Sequence, residues 1–181
     1  PKALSVMLAL NSISPHVRTN YIPKEFSELN DQERTLIRQQ DVIFDCTASD
    51  YLISDLSQFD WQKERFFISA SLGLYAKQLF YFAYHGNFFP AELYMNSISP
   101  YISEELDEYK GLELPREGVG CWHPIFPARM DDIWLMASMI VKLFEHDYRN
   151  QPISSVFRVY EQQFRDGLPL GLRNVHEVYS S

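Results

Sequence analysis

Two places in the chain gather side chains that can do chemistry. The first is Gly118-Val119-Gly120-Cys121-Trp122-His123-Pro124. The thiol of Cys121 follows two glycines, sits ahead of a helix start and has an imidazole two residues on. A helix N-terminus and a nearby imidazolium both stabilise a thiolate, so Cys121 is a candidate nucleophile. The alternative is a small apolar thiol packed beside Trp122 and Phe126. A zinc site on Cys121 and His123 falls short of the four ligands that structural zinc takes, and no metal is assigned. The second place is Asp41-Val42-Ile43-Phe44-Asp45-Cys46-Thr47-Ala48-Ser49. Three apolar residues run into a carboxylate, a thiol and a hydroxyl. This predicts a short strand buried on both faces, with Cys46 buried in it and its C-terminal end opening at a sheet edge. Ligands of open parallel α/β sheets sit at that edge. A buried strand running into an ordinary loop accounts for the same residues.

These residues need elements to position them. Lys2 to Ile13 has roughly helical apolar spacing through Leu4, Met7, Leu8 and Ile13, and Ser14-Pro15 ends it. His16 to Ile22 alternates as a candidate strand stopped by Pro23. Asn30 with Glu33 forms a capping-box pattern ahead of Leu36 and Ile37. The first fifty residues therefore read helix, strand, helix, strand, the alternation of a parallel sheet with crossovers. Tyr51 to Phe59 reads as a helix and Arg65 to Leu72 (RFFISASL) as a second buried strand. Leu74 to Tyr84 reads as a further strand forming a hairpin with it. Its aromatic density suits a sheet packed under helices; a base-stacking platform is the alternative, and the acidic balance speaks against it. Pro90 to Tyr101 has a helical pattern. Ser103 to Gly120 is polar and acidic and reads as a surface loop. A long helix is predicted from Arg129 to His146, with Asp131 and Asp132 in its first turn. Ile153 to Phe164 alternates in part as a late strand, and Arg165 to Ser181 reads as irregular. No repeat or linker interrupts residues 1–181, which are expected to form one domain.

The chain has 181 residues, 46% hydrophobic and 15% aromatic, a globular composition with room for a sizeable core. Its formal net charge of -8 argues against a general nucleic-acid binder. Two cysteines make no secreted disulfide framework, and no apolar run reaches the roughly 18 residues of a membrane span. With no signal peptide visible, a cytoplasmic protein away from the membrane is expected. An opening on Pro1-Lys2 without an initiator methionine suggests a piece of a longer product, or a trimmed one.

Several stretches in this order carry a resemblance. Pro1-Lys2-Ala3 opening a helix, Ile13-Ser14-Pro15-His16-Val17, Asp45-Cys46-Thr47 at a strand end, the Arg65 to Ala76 strand, and Gly118 to Phe144 together resemble the ThiF/MoeB family. These are the ubiquitin-activating-type (E1-like) adenylyltransferases. The resemblance covers most of residues 1 to 146. It implies the later half of an adenylation domain, with 103–128 as its crossover loop. The implied fold is α/β, with a Rossmann-like, mainly parallel sheet flanked by helices, lacking the N-terminal glycine-loop unit and carrying an added hairpin. The implied reaction uses ATP and Mg²⁺ to adenylate the C-terminal carboxylate of a ubiquitin-like or sulfur-carrier protein. Members of the activating branch then pass the acyl group to a cysteine, and Cys121 stands where they carry it. Lys2 matches the lysine that contacts the phosphates. Asp45, Thr47, Ser49 and Asp50 fall at the strand end beside the nucleotide. Relatives pair as dimers, so a homodimer is expected.

This sequence also departs from the family pattern. Its seven glycines form no G-x-G-x-x-G loop, and Ala48 and Ser49 stand where the family has its metal-holding Asp and the following Asn. The chain alone is therefore expected to bind ATP weakly or not at all. A catalytically degenerate scaffold half is the second reading. A Rossmann-type nicotinamide oxidoreductase, which leaves Lys2 and the Gly118 to Pro127 segment without a role, is the third.

Overall fold

A computed structural model describes residues 2–14, 16–108, 110, 128–150 and 155–180. The chain falls into two compact units, Pro1–Gln40 and Asp41–Ser181.

In the first unit, helix α1 spans Lys2–Ile13 and helix α2 spans Asp31–Arg38. The capping box forms as the sequence predicts. Asn30 Oδ1 accepts from Glu33 N–H at 2.9 Å, and Glu33 Oε2 accepts from Asn30 N–H at 2.9 Å. Lys24 also bonds Glu33, which holds that carboxyl below its ordinary range. The expected strand over 16–22 is absent. Thr19 Oγ1 instead donates to Asn11 Oδ1 of α1 at 2.6 Å, so this stretch runs back along the helix rather than entering a ladder.

The second unit is built on five strands: β1 (Val42–Asp45), β2 (Arg65–Leu72), β3 (Gln78–Gly86), β4 (Ser155–Arg165) and β5 (Leu168–Ser180). Their spatial order is their sequence order. Only β1 and β2 are parallel, joined through helix α3 (Asp50–Gln58); every other neighbouring pair is antiparallel. The sheet is thus mixed and mostly antiparallel, which corrects the expectation of a mainly parallel one. The reason lies in the connections. The turn from β2 to β3 is too short for a crossover, and β4 returns to β5 through a two-residue hairpin.

Helix α5 (Met130–Asn150) covers one face of the sheet, where Met136 and Leu143 meet Phe66, Ile68, Leu79, Tyr81 and Val156. Helix α4 (Ala91–Glu108) packs with α3 over the other, where Phe82 contacts Phe89 and Tyr94, and Phe67 contacts Phe89. Burial on both faces explains why β2 and β3 read as near-continuous apolar runs. Strand β1 does not share it. It lies at the sheet edge with Phe44 exposed, and only Asp45 is buried.

Two further expectations change. Residues 103–108, read as the start of a loop, continue α4 past Pro100 to Glu108. The tail, read as irregular, is the 13-residue strand β5. Asp166 and Gly167 turn the β4–β5 hairpin with φ of 51° and 79°, the left-handed pair that a two-residue type I′ turn needs.

A buried ion cluster ties α5 to this hairpin. Arg158 of β4 donates to both oxygens of Asp147 at 2.5 and 3.0 Å, and to Glu177 of β5 at 2.5 Å. Burial alone would lower the pKa of Arg158. Its hydrogen bonds to Asp147, Glu177 and Tyr179 outweigh that and raise it.

Candidate functional site

The site begins where β1 ends. Asp45 is almost fully buried, and its carboxylate caps the turn that follows. Oδ1 accepts from Thr47 N–H at 2.9 Å and from Thr47 Oγ1 at 2.7 Å, while Oδ2 accepts from Ser69 Oγ of β2 at 2.8 Å. Ser69 is the register partner of Asp45 across the parallel pair, so β2 braces the end of β1. The chain then passes through Ala48 in a left-handed conformation, φ 52°. Ser49 caps α3, accepting from Leu52 N–H at 3.4 Å, and Asp50 opens the helix.

A cleft of about 460 Å³ lies beyond these strand ends. Its walls are Ala48 to Asp50, the end of β2 with Gly73 to Ala76, α4 from Tyr94 to Leu106, and Ile133 of α5. Ile53, Leu72, Phe80, Ile98 and Ile102 make it largely apolar. Ser49, Ser71, Ser99 and Ser103 add hydroxyls, and Asp50 and Glu105 add carboxylates. No lysine or arginine is among the described lining residues. Glu105 Oε1 accepts from Leu74 N–H at 3.0 Å, and burial pushes its pKa up. Gly73 lets the Glu105 carboxylate come close: a Cβ there would stand against Glu105 Oε1 and displace that side chain. Burial also raises the pKa of Tyr94, with the hydroxyls of Ser69 and Ser71 acting in the opposite direction.

The cleft thus opens at the C-terminal edge of the parallel pair, where the sequence places a ligand edge. Of the residues singled out there, Ser49 and Asp50 line it. Asp45 and Thr47 stand behind it, with the Asp45 carboxylate already engaged. Lys2 belongs to the first unit. Cys121 and His123 lie outside the described residues. Cys46, expected to be buried, is exposed. Partial burial of its sulfur, and then the charge of Asp45, raise its thiol pKa and disfavour a thiolate. Sequence reasoning missed Tyr94, Glu105 and Ser69; the one available signal was the row of hydroxyls in RFFISASL, which alternate onto the cleft face at Ser69 and Ser71.

Chemically, such a cleft suits an elongated, uncharged, partly apolar group held by hydroxyls at its edges. Among the described residues no group of three or more His, Cys, Asp or Glu could hold a metal ion. Ser69→Ala should leave one oxygen of buried Asp45 without its donor. We expect a cost of about 1–3 kcal/mol in denaturant unfolding, with β1 protected less strongly in amide exchange.

The fold is an α/β architecture with a mixed sheet, whose β1–α3–β2 unit carries a cleft at its carboxyl edge. No protein-family model matches the chain. The chain is similar to the ATP-dependent ubiquitin transferase-like protein Cap2 of Enterobacter hormaechei subsp. hoffmannii (strain UCI 50), 34% identical over 168 residues. The alignment takes in 92% of this chain and 27% of that relative, so the chain spans about a quarter of its length. None of the described helices is long and apolar enough to cross a membrane.

Proposed function

We propose that this chain is the later part of an E1-like adenylyltransferase, which activates the C-terminus of a ubiquitin-like or sulfur-carrier protein with ATP. The observation that carries this reading is the similarity to a protein named as an ATP-dependent ubiquitin transferase-like protein, over 92% of the chain. In the reaction, an oxygen of the substrate's C-terminal carboxylate attacks the α-phosphorus of ATP, and pyrophosphate leaves. A cysteine thiolate then attacks the acyl carbon, and AMP leaves. Cys121 is the proposed nucleophile of that second step.

The cleft's lining supports a division of labour. An apolar channel edged with hydroxyls suits the uncharged end of a protein tail. The triphosphate needs cations, and this cleft presents Asp50 and Glu105 instead. A neighbouring recess that shares Tyr75 and Glu105 with it adds Glu104, Glu108, Asp132 and Glu161 against a single lysine, Lys77, so phosphates are repelled there too. In this reading the phosphate contacts come from elsewhere in the protein, Lys2 among them. Calorimetric titration of the isolated chain with ATP and Mg²⁺ is expected to show no binding tighter than roughly millimolar. Micromolar binding would refute this division.

A second reading, a degenerate scaffold half that docks a partner without chemistry, is favoured by Ala48 and by the engaged carboxylate of Asp45. ATP–pyrophosphate exchange by the full-length protein, stimulated by its ubiquitin-like partner, separates the two. Partner binding without exchange selects the scaffold.

A further inference from the structure

We propose that Tyr75 determines which tail the cleft accepts, by packing its ring against a large aliphatic side chain that the tail carries upstream of its C-terminal carboxylate. The inference rests on the reading of the cleft as the place of the substrate's tail.

Tyr75 stands in the turn between β2 and β3, beyond the pair Leu72 and Leu79. Lys77 N–H donates to Leu74 O at 3.2 Å across the turn. Both central residues are left-handed, Tyr75 with φ 57° and ψ 20° and Ala76 with φ 52°. That is the left-handed pair of a type I′ turn, where Asn-Gly is relaxed and a tyrosine is strained. The strain is held from two sides. Glu105 of α4 accepts from Leu74 N–H at 3.0 Å, and Gln162 of β4 donates from Nε2 to Ala76 O at 3.1 Å and from its backbone N–H to Lys77 O at 3.0 Å. Backbone strain that the surroundings impose concentrates at functional sites. Among the described residues, five other than glycine have a positive φ, and three of them, Ala48, Tyr75 and Ala76, line this cleft. Ala76 is buried, whereas Tyr75 is 39% exposed. An asparagine at this position would relax the turn. What tyrosine adds is a large ring on the cleft wall.

The rest of the lining selects what that ring meets. Leu72, Phe80, Ile98 and Ile102 give a cleft of about 460 Å³ its apolar character. A tail of small residues would leave much of it unfilled and forfeit those dispersion contacts. Asp50 and Glu105, with no lysine or arginine among the described lining residues, repel a terminal carboxylate. The tail residue seated here is therefore large, uncharged and upstream of the terminus. An aromatic ring with two side-chain torsions grips such a group at little cost in conformational entropy.

The probe is an acetylated five-residue peptide with a free carboxylate, alanine throughout except for leucine at its centre, titrated into the full-length protein. It should bind at least about tenfold tighter than the all-alanine peptide, and a central glutamate should give no gain over alanine. Tyr75→Asn should remove the preference for leucine while holding the midpoint of thermal unfolding or raising it by about 2–4 °C. Tyr75→Phe should retain the preference, because the ring and not the hydroxyl makes the contact. Absence of a preference in the unaltered protein, whether both peptides bind or neither does, overturns the proposal. So does a preference that survives Tyr75→Asn, or one lost together with a fall in the unfolding midpoint. A Tyr75-dependent preference in a protein without ATP–pyrophosphate exchange supports this role for Tyr75 and counts against the adenylation reading instead.

Discussion

Arg158→Met is expected to destabilise the second unit by about 3–5 kcal/mol, the cost of leaving a buried carboxylate without its counter-ion. Arg158 and Asp147 are 4% and 2% exposed at their side chains. Methionine fills most of the arginine's volume, so the loss reports charge rather than a cavity. Asp147 would keep its contact with His146 Nδ1 at 3.0 Å and the neighbouring hydroxyl of Tyr81, neither of which replaces the guanidinium. Three elements loosen together, because Arg158 joins α5, β4 and, through Glu177, β5. The midpoint of thermal unfolding should fall by roughly 10 °C, read by circular dichroism. Pairing Arg158→Met with Asp147→Leu should recover much of the loss, since an apolar pair of similar volume replaces a buried ion pair at little cost. Glu177 gives a check in pH. Arg158 holds its carboxyl below the ordinary range, so its stabilisation is present above that range and lost as pH falls through the depressed value. The variant should lose that part of the acid dependence. Wild-type-like stability of Arg158→Met would show that the cluster does not hold α5 to the hairpin.

The elements legible in the sequence are those whose signal is local. The Asn30–Glu33 capping box, the apolar face of α5 and the buried run of β2 need no knowledge of their neighbours, and each forms where expected. Sheet direction is not local. Helix–strand alternation in the first fifty residues implies repeated crossovers, yet α1 and α2 belong to a separate unit and the stretch after α1 forms no strand. One crossover remains, β1–α3–β2, and it is the one that makes the cleft. Strand β5 was hidden by its own irregularity. Pro169, Gly171 and register shifts at Val159/Tyr160 and Gln163/Phe164 break its alternation, although Asp166-Gly167 is a strong hairpin signal. At the site, the strand end was legible but the role of Asp45 was not. Its type suits a ligand or a metal; that it also caps the turn shows only in its burial and three hydrogen bonds.

In the proposed reaction the second step is assigned to Cys121. In the full-length protein, Cys121→Ala is expected to leave ATP–pyrophosphate exchange near its original rate and to lower thioester formation with the ubiquitin-like partner by roughly a thousandfold or more. The first step needs no thiol, because the substrate's carboxylate is its own nucleophile. The other cysteine of this chain is a poor substitute in the second step: Cys46, partly buried and beside the anionic end of Asp45, has its thiol pKa raised, which leaves little thiolate at neutral pH. Cys46→Ala should therefore retain the thioester. His123→Ala should slow its formation more at low pH than at high pH, because a nearby imidazolium matters most where the thiolate is scarce. The measurement is a thiol-sensitive adduct on a non-reducing gel beside labelled pyrophosphate exchange. A thioester that survives Cys121→Ala would place the nucleophile elsewhere. Loss of exchange together with the thioester would mean that Cys121 supports the fold or the adenylate site rather than the transfer.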